Sequence, residues 1–287
     1  MTEVIYNVQE TIDEACETFY LCRDGKPELV PLGFPPLDAE LGGLGPGACG
    51  ILAAATGVGK SSAMLAGMLA SPVKVGAVSL EDGPDVVGTR LLSAITGIDS
   101  LLIRRKALSK GQLKEIAKAK DSNVLDHMHF AYPIAGSLEQ VEEDIALLCA
   151  AGCKMVWIDY LQEIRGHAGR NAERRNEVSE AMTRCHRAAA RGGAALMMVS
   201  QFRRPGTDVK GAPRPVGIHH LKESGDLENK ARIIIIAQKQ PSPDSSDRVR
   251  FKLAKSTYGG EYVKWDMVRD ESGTLRDADF YSPTEGF

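Results

Sequence analysis

The sequence predicts an α/β fold, a mostly parallel twisted sheet flanked by helices and extended toward the C-terminus by an antiparallel hairpin. Three observations predict it. Six short apolar runs, CGILAAA, VKVGAVSL, HMHFAY, KMVWID, AALMMVS and RIIIIAQ, recur between Cys49 and Gln238, and unbroken runs of this length suit strands buried on both faces. Segments of helical periodicity alternate with most of them, at 60–71, 85–96, 109–120, 137–151 and 171–191, the order expected of parallel strands joined by crossover helices. Beyond Pro241 the pattern changes to RVRFKLAKS, a Gly-Gly turn signal and EYVKWDMV, which reads as a hairpin at the sheet edge.

A chain of 287 residues accommodates one large α/β domain with short appendages. The expected division is 1–33 as a helix and linker, 34–270 as the domain and 271–287 as an acidic tail. Within 9–22, Ile12, Ala15, Cys16, Phe19 and Tyr20 recur at helical spacing, and RDGKPELVPLGFPP then breaks the helix with Gly and Pro. That helix has two possible partners, its own domain or a neighbouring subunit. Residues 266–287 carry six acidic side chains against two arginines, and the chain is expected to end loosely held.

Composition narrows the class. Hydrophobic residues make up 43% and charged residues 25%, as in a soluble globular enzyme and unlike a disordered or fibrous chain. A net charge of −3 leaves any nucleic-acid site to a local concentration of Lys and Arg. The acidic start MTEVIYNVQETIDEA lacks the basic and apolar regions of a secretory signal, and no run approaches the roughly 18 apolar residues of a membrane span. A cytoplasmic protein without membrane contact is expected. The cysteines at 16, 22, 49, 149, 153 and 185 form no C-x-x-C pair, so free thiols are expected. His219 and His220, with no accompanying Cys or second His pair, read as structural residues.

The chemistry is concentrated at Ala54-Ala55-Thr56-Gly57-Val58-Gly59-Lys60-Ser61, followed by Ser62. The segment ends a buried strand and opens a helix, the setting of a phosphate-binding loop. Small residues let backbone N–H groups turn toward phosphates, the helix N-terminus adds partial positive charge, Lys60 reaches the β and γ oxygens, and the Ser61 hydroxyl suits Mg²⁺. Ala54 replaces the first Gly of the common G-x-x-x-x-G-K-S/T pattern. ATP and Mg²⁺ are the expected ligands. Asp159, at the end of KMVWID, is placed to act at the metal. Glu81, at the end of VKVGAVSLE, is placed to activate water, with Asp82 as its competitor.

Two segments collect basic residues: Arg165, Arg170, Arg174 and Arg175 in IRGHAGRNAERR, and Arg203, Arg204, Lys210 and Arg214 in FRRPGTDVKGAPRP. Phe202 is the only aromatic in either, so phosphate-backbone contact to single-stranded DNA is expected rather than base reading.

The strings ATGVGKSS, VSLEDG, WIDYLQEI, VSQFRR and LKESGDLE, in that order and at similar intervals, resemble the RecA-like motor domain of DnaB-type replicative DNA helicases, over about residues 34–265. The resemblance implies an ATP-dependent helicase moving 5′ to 3′ as a homo-oligomer, most simply a hexameric ring, with a primase or a helicase loader as further partner. It implies Glu81 as catalytic base, Asp159 at the metal, Gln201 as γ-phosphate sensor and Arg90 as a nucleotide-site residue. The basic segments would face the ring channel. Two departures stand out. Lys255 matches the K-x-R string that completes a neighbour's site, but Thr257 stands where the arginine finger is expected, leaving another arginine such as Arg250 to supply it or hydrolysis weak. The family's N-terminal collar has no counterpart, as in phage or plasmid versions. The alternative readings are a single-strand-binding filament or annealing protein of the RecA group and a regulatory ATPase partnering another helicase.

Overall fold

The computed structural model describes residues 7–12, 29–165, 174–202, 217–218, 221, 224–240, 247–259 and 263–278. Nine strands form one sheet: β1 Cys49–Ala54, β2 Val75–Ser79, β3 Met128–Ala131, β4 Met155–Asp159, β5 Ala195–Gln201, β6 Ile233–Gln240, β7 Asp247–Ser256, β8 Lys264–Arg269 and β9 Leu275–Asp277, in the order β3-β2-β4-β5-β1-β6-β7-β8-β9. The first six in space are mutually parallel and the last three antiparallel. Every residue of β1, β2 and β4 is buried, as their continuous apolar character demands of strands covered on both faces.

The helices are α1 Pro35–Leu41, α2 Lys60–Leu69, α3 Pro84–Thr96, α4 Ser100–Arg104, α5 Lys110–Lys120, α6 Leu138–Ala150, α7 Arg174–Arg191 and α8 Ser224–Lys230. Local chemistry sets several ends. Ser109 and Gln112 form a reciprocal capping box on α5, Ser137 caps α6, and prolines open α1 and α3 where a missing N–H costs nothing. Helix α6 packs on β2, β3 and β4, and α7 packs on β5 and against α6. Arg184 of α7 ties the two helices through Glu139, at 3.1 Å, and Glu142.

The domain entrance is fixed by one side chain. Asp38 accepts hydrogen bonds from the backbone N–H groups of Leu32, Gly33 and Phe34 at 2.7, 2.8 and 3.0 Å, seating Phe34 against Phe251 and Trp265 of the antiparallel strands. Residues 8–12 are helical, and the rest of the expected 9–22 helix lies outside the described residues. The short elements α1, α4, α8 and β9 have too few residues for periodicity to reveal. Strand β9 falls within the segment expected as an acidic tail: Leu275 is buried, and Arg276 donates to the Ala94 carbonyl at 2.7 Å, pinning β9 to α3.

Candidate nucleotide site

Register brings the chemistry to one end of the sheet. Ala54 lies opposite Gln201, and Ser79 lies opposite Asp159, so the C-terminal ends of β1, β5, β2 and β4 converge. In open parallel sheets this is where ligands bind. Between β1 and α2 the chain turns through Gly57 and Gly59, whose φ angles of 80° and 108° are in the left-handed region that favours glycine. A Cβ added to Gly57 would meet nothing within 4 Å, so the turn faces open space.

Asp159 ends β4 with 1% exposure, and its Oδ1 has no hydrogen-bond partner among the described residues. Burial pushes its carboxyl up to about 6; the Ser61 side-chain hydrogen bond opposes this, the Glu81 and Asp82 charges add to it, and Lys60 lowers it. Burial likewise pulls the Lys60 ammonium below its ordinary value, with Asp159 and Glu81 working the other way. The Lys60 Nζ sits 5.6 Å from the centroid of the Tyr160 ring, whose hydroxyl donates to Glu163 at 2.6 Å.

Glu81 and Asp82 are separated by their partners. Asp82 pairs with Arg90 at 2.5 Å, and its carbonyl accepts from the Ser79 hydroxyl at 2.7 Å. Glu81 makes no ion pair among the described residues, while its charge acts on both Lys60 and Asp159. The Gln201 amide donates to the Thr56 hydroxyl at 2.5 Å, tying β5 to the phosphate-loop turn. Gln162, which follows Asp159 by three residues, was not singled out from the sequence, although it lies in the WIDYLQEI string. It donates to Ser200 at 2.9 Å and accepts from the Gln201 N–H at 3.2 Å, so it fixes the strand end that presents Gln201.

Arg90 lines a cavity of about 320 Å³ beside α2, with Ser62, Leu65, Ser93, Arg269 and Thr274 among the other walls. Lys255 and Thr257 are elsewhere. Lys255 lies opposite Ile234, which pairs with Ile51, so it belongs to the sheet end away from Ala54. There its ammonium donates to the Glu228 carbonyl, and the Thr257 N–H donates to the Arg232 carbonyl at 2.9 Å. Arg250 lies opposite Gln238 and is held in two bonds to Asp266 at 2.8 and 2.9 Å.

Arg165 is exposed, and its backbone bridges to Ser137. Arg174 and Arg175 open α7. Arg170, Arg203, Arg204, Lys210, Arg214, His219 and His220 lie outside the described residues. Cys49, Cys149, Cys153 and Cys185 are free thiols. No group of three or more His, Cys, Asp or Glu among the described residues could hold a metal ion, and none of their helices is long and apolar enough to cross a membrane.

A family model for the DnaB-like helicase C-terminal domain matches residues 30–262. The chain is 24% identical over 240 residues to a probable plasmid replicative DNA helicase of Chlamydia trachomatis serovar L2, covering 82% of this chain and 52% of the relative. It is 29% identical over 228 residues to the replicative DNA helicase DnaB of Leifsonia xyli subsp. xyli, covering 76% and 48%. The chain thus spans about half the length of the curated relatives it matches. Two solved structures share the fold. One is a DnaB-like replicative helicase described with its interactions with primase, at TM-score 0.76 and 21% identity over 95% of this chain and 67% of that one. The other is an ATPase domain, at TM-score 0.77 and 23% identity over 93% and 98%.

Proposed function

The chain belongs to the DnaB-like helicase C-terminal domain family, and from that premise we propose that it is an ATP-dependent DNA helicase motor, hydrolysing ATP to move along single-stranded DNA and unwind duplex. One observation carries the reading. A buried carboxylate with an unpartnered oxygen, Asp159, stands beside a glycine-turned loop that ends in Lys60 and Ser61. Leaving such a group unsatisfied costs free energy, and a Mg²⁺ ion accompanying phosphates has the charge that would offset it.

The residues fit that pair of ligands. Asp159 and the Ser61 hydroxyl would hold the ion. The backbone N–H groups from Ala55 to Ser61, the N-terminus of α2 and the Lys60 ammonium hold the phosphates. ATP, the substrate, brings the scissile phosphoanhydride, and Mg²⁺ when bound would neutralise charge as that bond breaks. Glu81 orients the attacking water and takes its proton, because Asp82 is engaged with Arg90. Arg90 and the cavity beside α2 take the nucleoside. Gln201, in contact with Thr56 of the loop, couples the γ-phosphate to residues 203–214.

Lys255, at the far end of the sheet from its own phosphate loop, serves a neighbouring subunit's site, which requires a homo-oligomer and most simply a hexameric ring. Arg165, Arg170, Arg174, Arg175, Arg203, Arg204, Lys210 and Arg214 grip the DNA backbone, translocation runs 5′ to 3′ in the cytoplasm, and a primase or loader is the further protein partner. The test is ATP hydrolysis with and without single-stranded DNA, run beside unwinding of a forked duplex with a 5′ tail. DNA-stimulated hydrolysis with unwinding is expected. Helical filaments that anneal strands, or slow turnover that no DNA accelerates, would overturn the motor reading in favour of a RecA-group binding protein or a regulatory ATPase.

A further inference from the structure

Arg269 ends β8, and its side chain crosses to a helix that precedes it by 207 residues. Its guanidinium is anchored on two of its three nitrogens. Nε donates to Asp247 at 3.0 Å, and Nη1 donates to the Gly273 carbonyl at 2.8 Å and to the Ser62 hydroxyl at 3.2 Å. Nη2 makes no hydrogen bond among the described residues. It also faces the phosphate loop, because a Cβ placed on Gly59 would come within 2.5 Å of Nη2 and 3.7 Å of the guanidinium carbon. Gly59 therefore serves two purposes: it turns the loop at φ 108°, and it leaves room for an arginine.

The position is electrostatically unfavourable for a cation on its own. Gly59 caps the N-terminus of α2, and no acidic residue occupies the first turn of that helix. A helix N-terminus carries roughly half a positive charge, which disfavours a neighbouring guanidinium. The cavity next to it has two arginines, Arg90 and Arg269, and no carboxylate in its lining. Arg90 is paired with Asp82, and Arg269 with Asp247 through Nε, but the outer Nη2 edge of Arg269 has no partner among the described residues. Two positive features held against each other, with unused donors and an acid-free cavity alongside, are balanced when an anion lies between them. Loop closure does not require this, since the anchoring bonds use only Nε and Nη1.

We propose that Arg269 is a nucleotide-binding residue acting within its own subunit, its free Nη2 edge contacting the phosphate nearest the ribose while its plane walls the nucleoside cavity. The assignment rests on the ATP-site reading above and adds to it a residue from the antiparallel end of the sheet. It accounts for the turn from Asp270 to Thr274. The Ser272 carbonyl accepts from the Ser93 hydroxyl at 2.7 Å and the Ser100 N–H at 3.4 Å, so the turn closes the outer wall of the cavity and holds Arg269 in place.

The experiment is titration of the full chain with a fluorescent Mg-ADP analogue, with the ligand-free melting temperature recorded for each variant. A charge-assisted bond of about 1.5–3 kcal/mol corresponds to a loss of affinity of about 10- to 100-fold in Arg269→Ala. Arg269→Lys, which keeps the charge without the fork, recovers part of it. Asp247→Asn, which removes the charge opposite Nε but can still accept its hydrogen bond, weakens binding by a smaller factor than Arg269→Ala. In ATP turnover, Arg269→Ala raises KM by a larger factor than it lowers kcat. Wild-type affinity in Arg269→Ala, or equal losses in Arg269→Ala and Asp247→Asn that track their melting temperatures, would overturn the assignment. If Arg269→Ala does not fold, Arg269→Lys against Asp247→Asn decides the question in the same way. Absence of Mg-ADP binding by the wild type, or binding indifferent to Lys60→Ala, would overturn the ATP site itself.

Discussion

In the antiparallel strands the carboxylates are matched by cations. Asp247 pairs with Lys239 and Arg269, Asp266 with Arg250 and Arg248, and Asp270 with Arg276. Against the opposing effect of burial, Lys239 and Arg269 hold the Asp247 carboxyl below its ordinary value, and the Arg250 guanidinium does the same for Asp266. At the ends of the parallel strands the pattern is reversed. Asp159 is buried with an oxygen unpartnered among the described residues and its carboxyl pushed up to about 6 by burial, and Lys60 is pulled down by burial. Apart from the free Nη2 edge of Arg269, the first arrangement is complete without a ligand and serves architecture. The second holds buried charge that a bound Mg-nucleotide would balance, as the proposed nucleotide site requires.

The sharpest way to break this contrast is to remove a group from the unsatisfied end. Lys60→Ala is expected to reduce nucleotide-dependent turnover to background. Glu81→Gln, which preserves shape, is expected to slow turnover by about 10²- to 10⁴-fold with Mg-nucleotide affinity nearly unchanged. Single-turnover hydrolysis and nucleotide titration separate the two effects. Retained turnover in Glu81→Gln would transfer the base role away from Glu81 and make the pairing of Asp82 with Arg90 catalytically relevant.

The two halves were also unequally legible. The parallel strands are visible as apolar runs, most fully in β1, β2 and β4, because a strand covered on both faces has no polar side to interrupt it; the edge strand β3 is only partly buried. Once they are aligned, Ala54, Asp159 and Gln201 fall at one sheet end through backbone register alone. Lys60, Ser61 and Glu81 follow because they are within a few residues of those strand ends. Arg269 and β9 were not legible. Their partners, Ser62 and Ala94, are 207 and 182 residues away, and no local pattern announces a side chain whose role depends on how the sheet edge folds back over α2. Gln162 was in view within a recognised string, but its bonds to β5 are a property of strand neighbours. The partnering of Arg250 with Asp266 is likewise a cross-strand fact, and it leaves Arg250 engaged where a substitute arginine finger would need to be free.

A smaller effect sharpens the contrast through stability. Asp159→Asn removes a charge that the ligand-free fold holds at a cost. A carboxyl with a folded pKa raised above its unfolded value contributes stability below the unfolded value and loses it as pH rises through the folded one, here between about 4 and about 6. The substitution is therefore expected to raise the ligand-free melting temperature by about 5 °C at pH 8, with the gain shrinking toward pH 4. It is also expected to abolish the additional stabilisation by Mg-nucleotide that the wild type shows. Thermal melts at both pH values, with and without Mg-ADP, check both signs. A lower melting temperature at pH 8 would mean that Asp159 is satisfied without a ligand.

The smallest effect comes from the satisfied half and has the opposite sign. Asp266 faces Arg250 through two bonds and Arg248 at 3.5 Å, and only 16% of its side chain is exposed. Asp266→Ala is expected to lower the melting temperature by about 2–4 °C, for a loss near 1 kcal/mol, and to do so without nucleotide present. Because the Asp266 carboxyl is held below its ordinary value, its contribution is present above the unfolded pKa and disappears as pH falls through the folded one. The difference between wild type and Asp266→Ala should therefore be full at pH 7 and vanish in acid, whereas the gain in Asp159→Asn grows with pH. Nucleotide affinity in Asp266→Ala should stay close to wild type, since neither Arg250 nor Arg248 lines the cavity beside α2. A marked loss of affinity would show that this ion-paired patch also acts on the nucleotide site, and the division between architectural and ligand-seeking charge would have to be redrawn at β7.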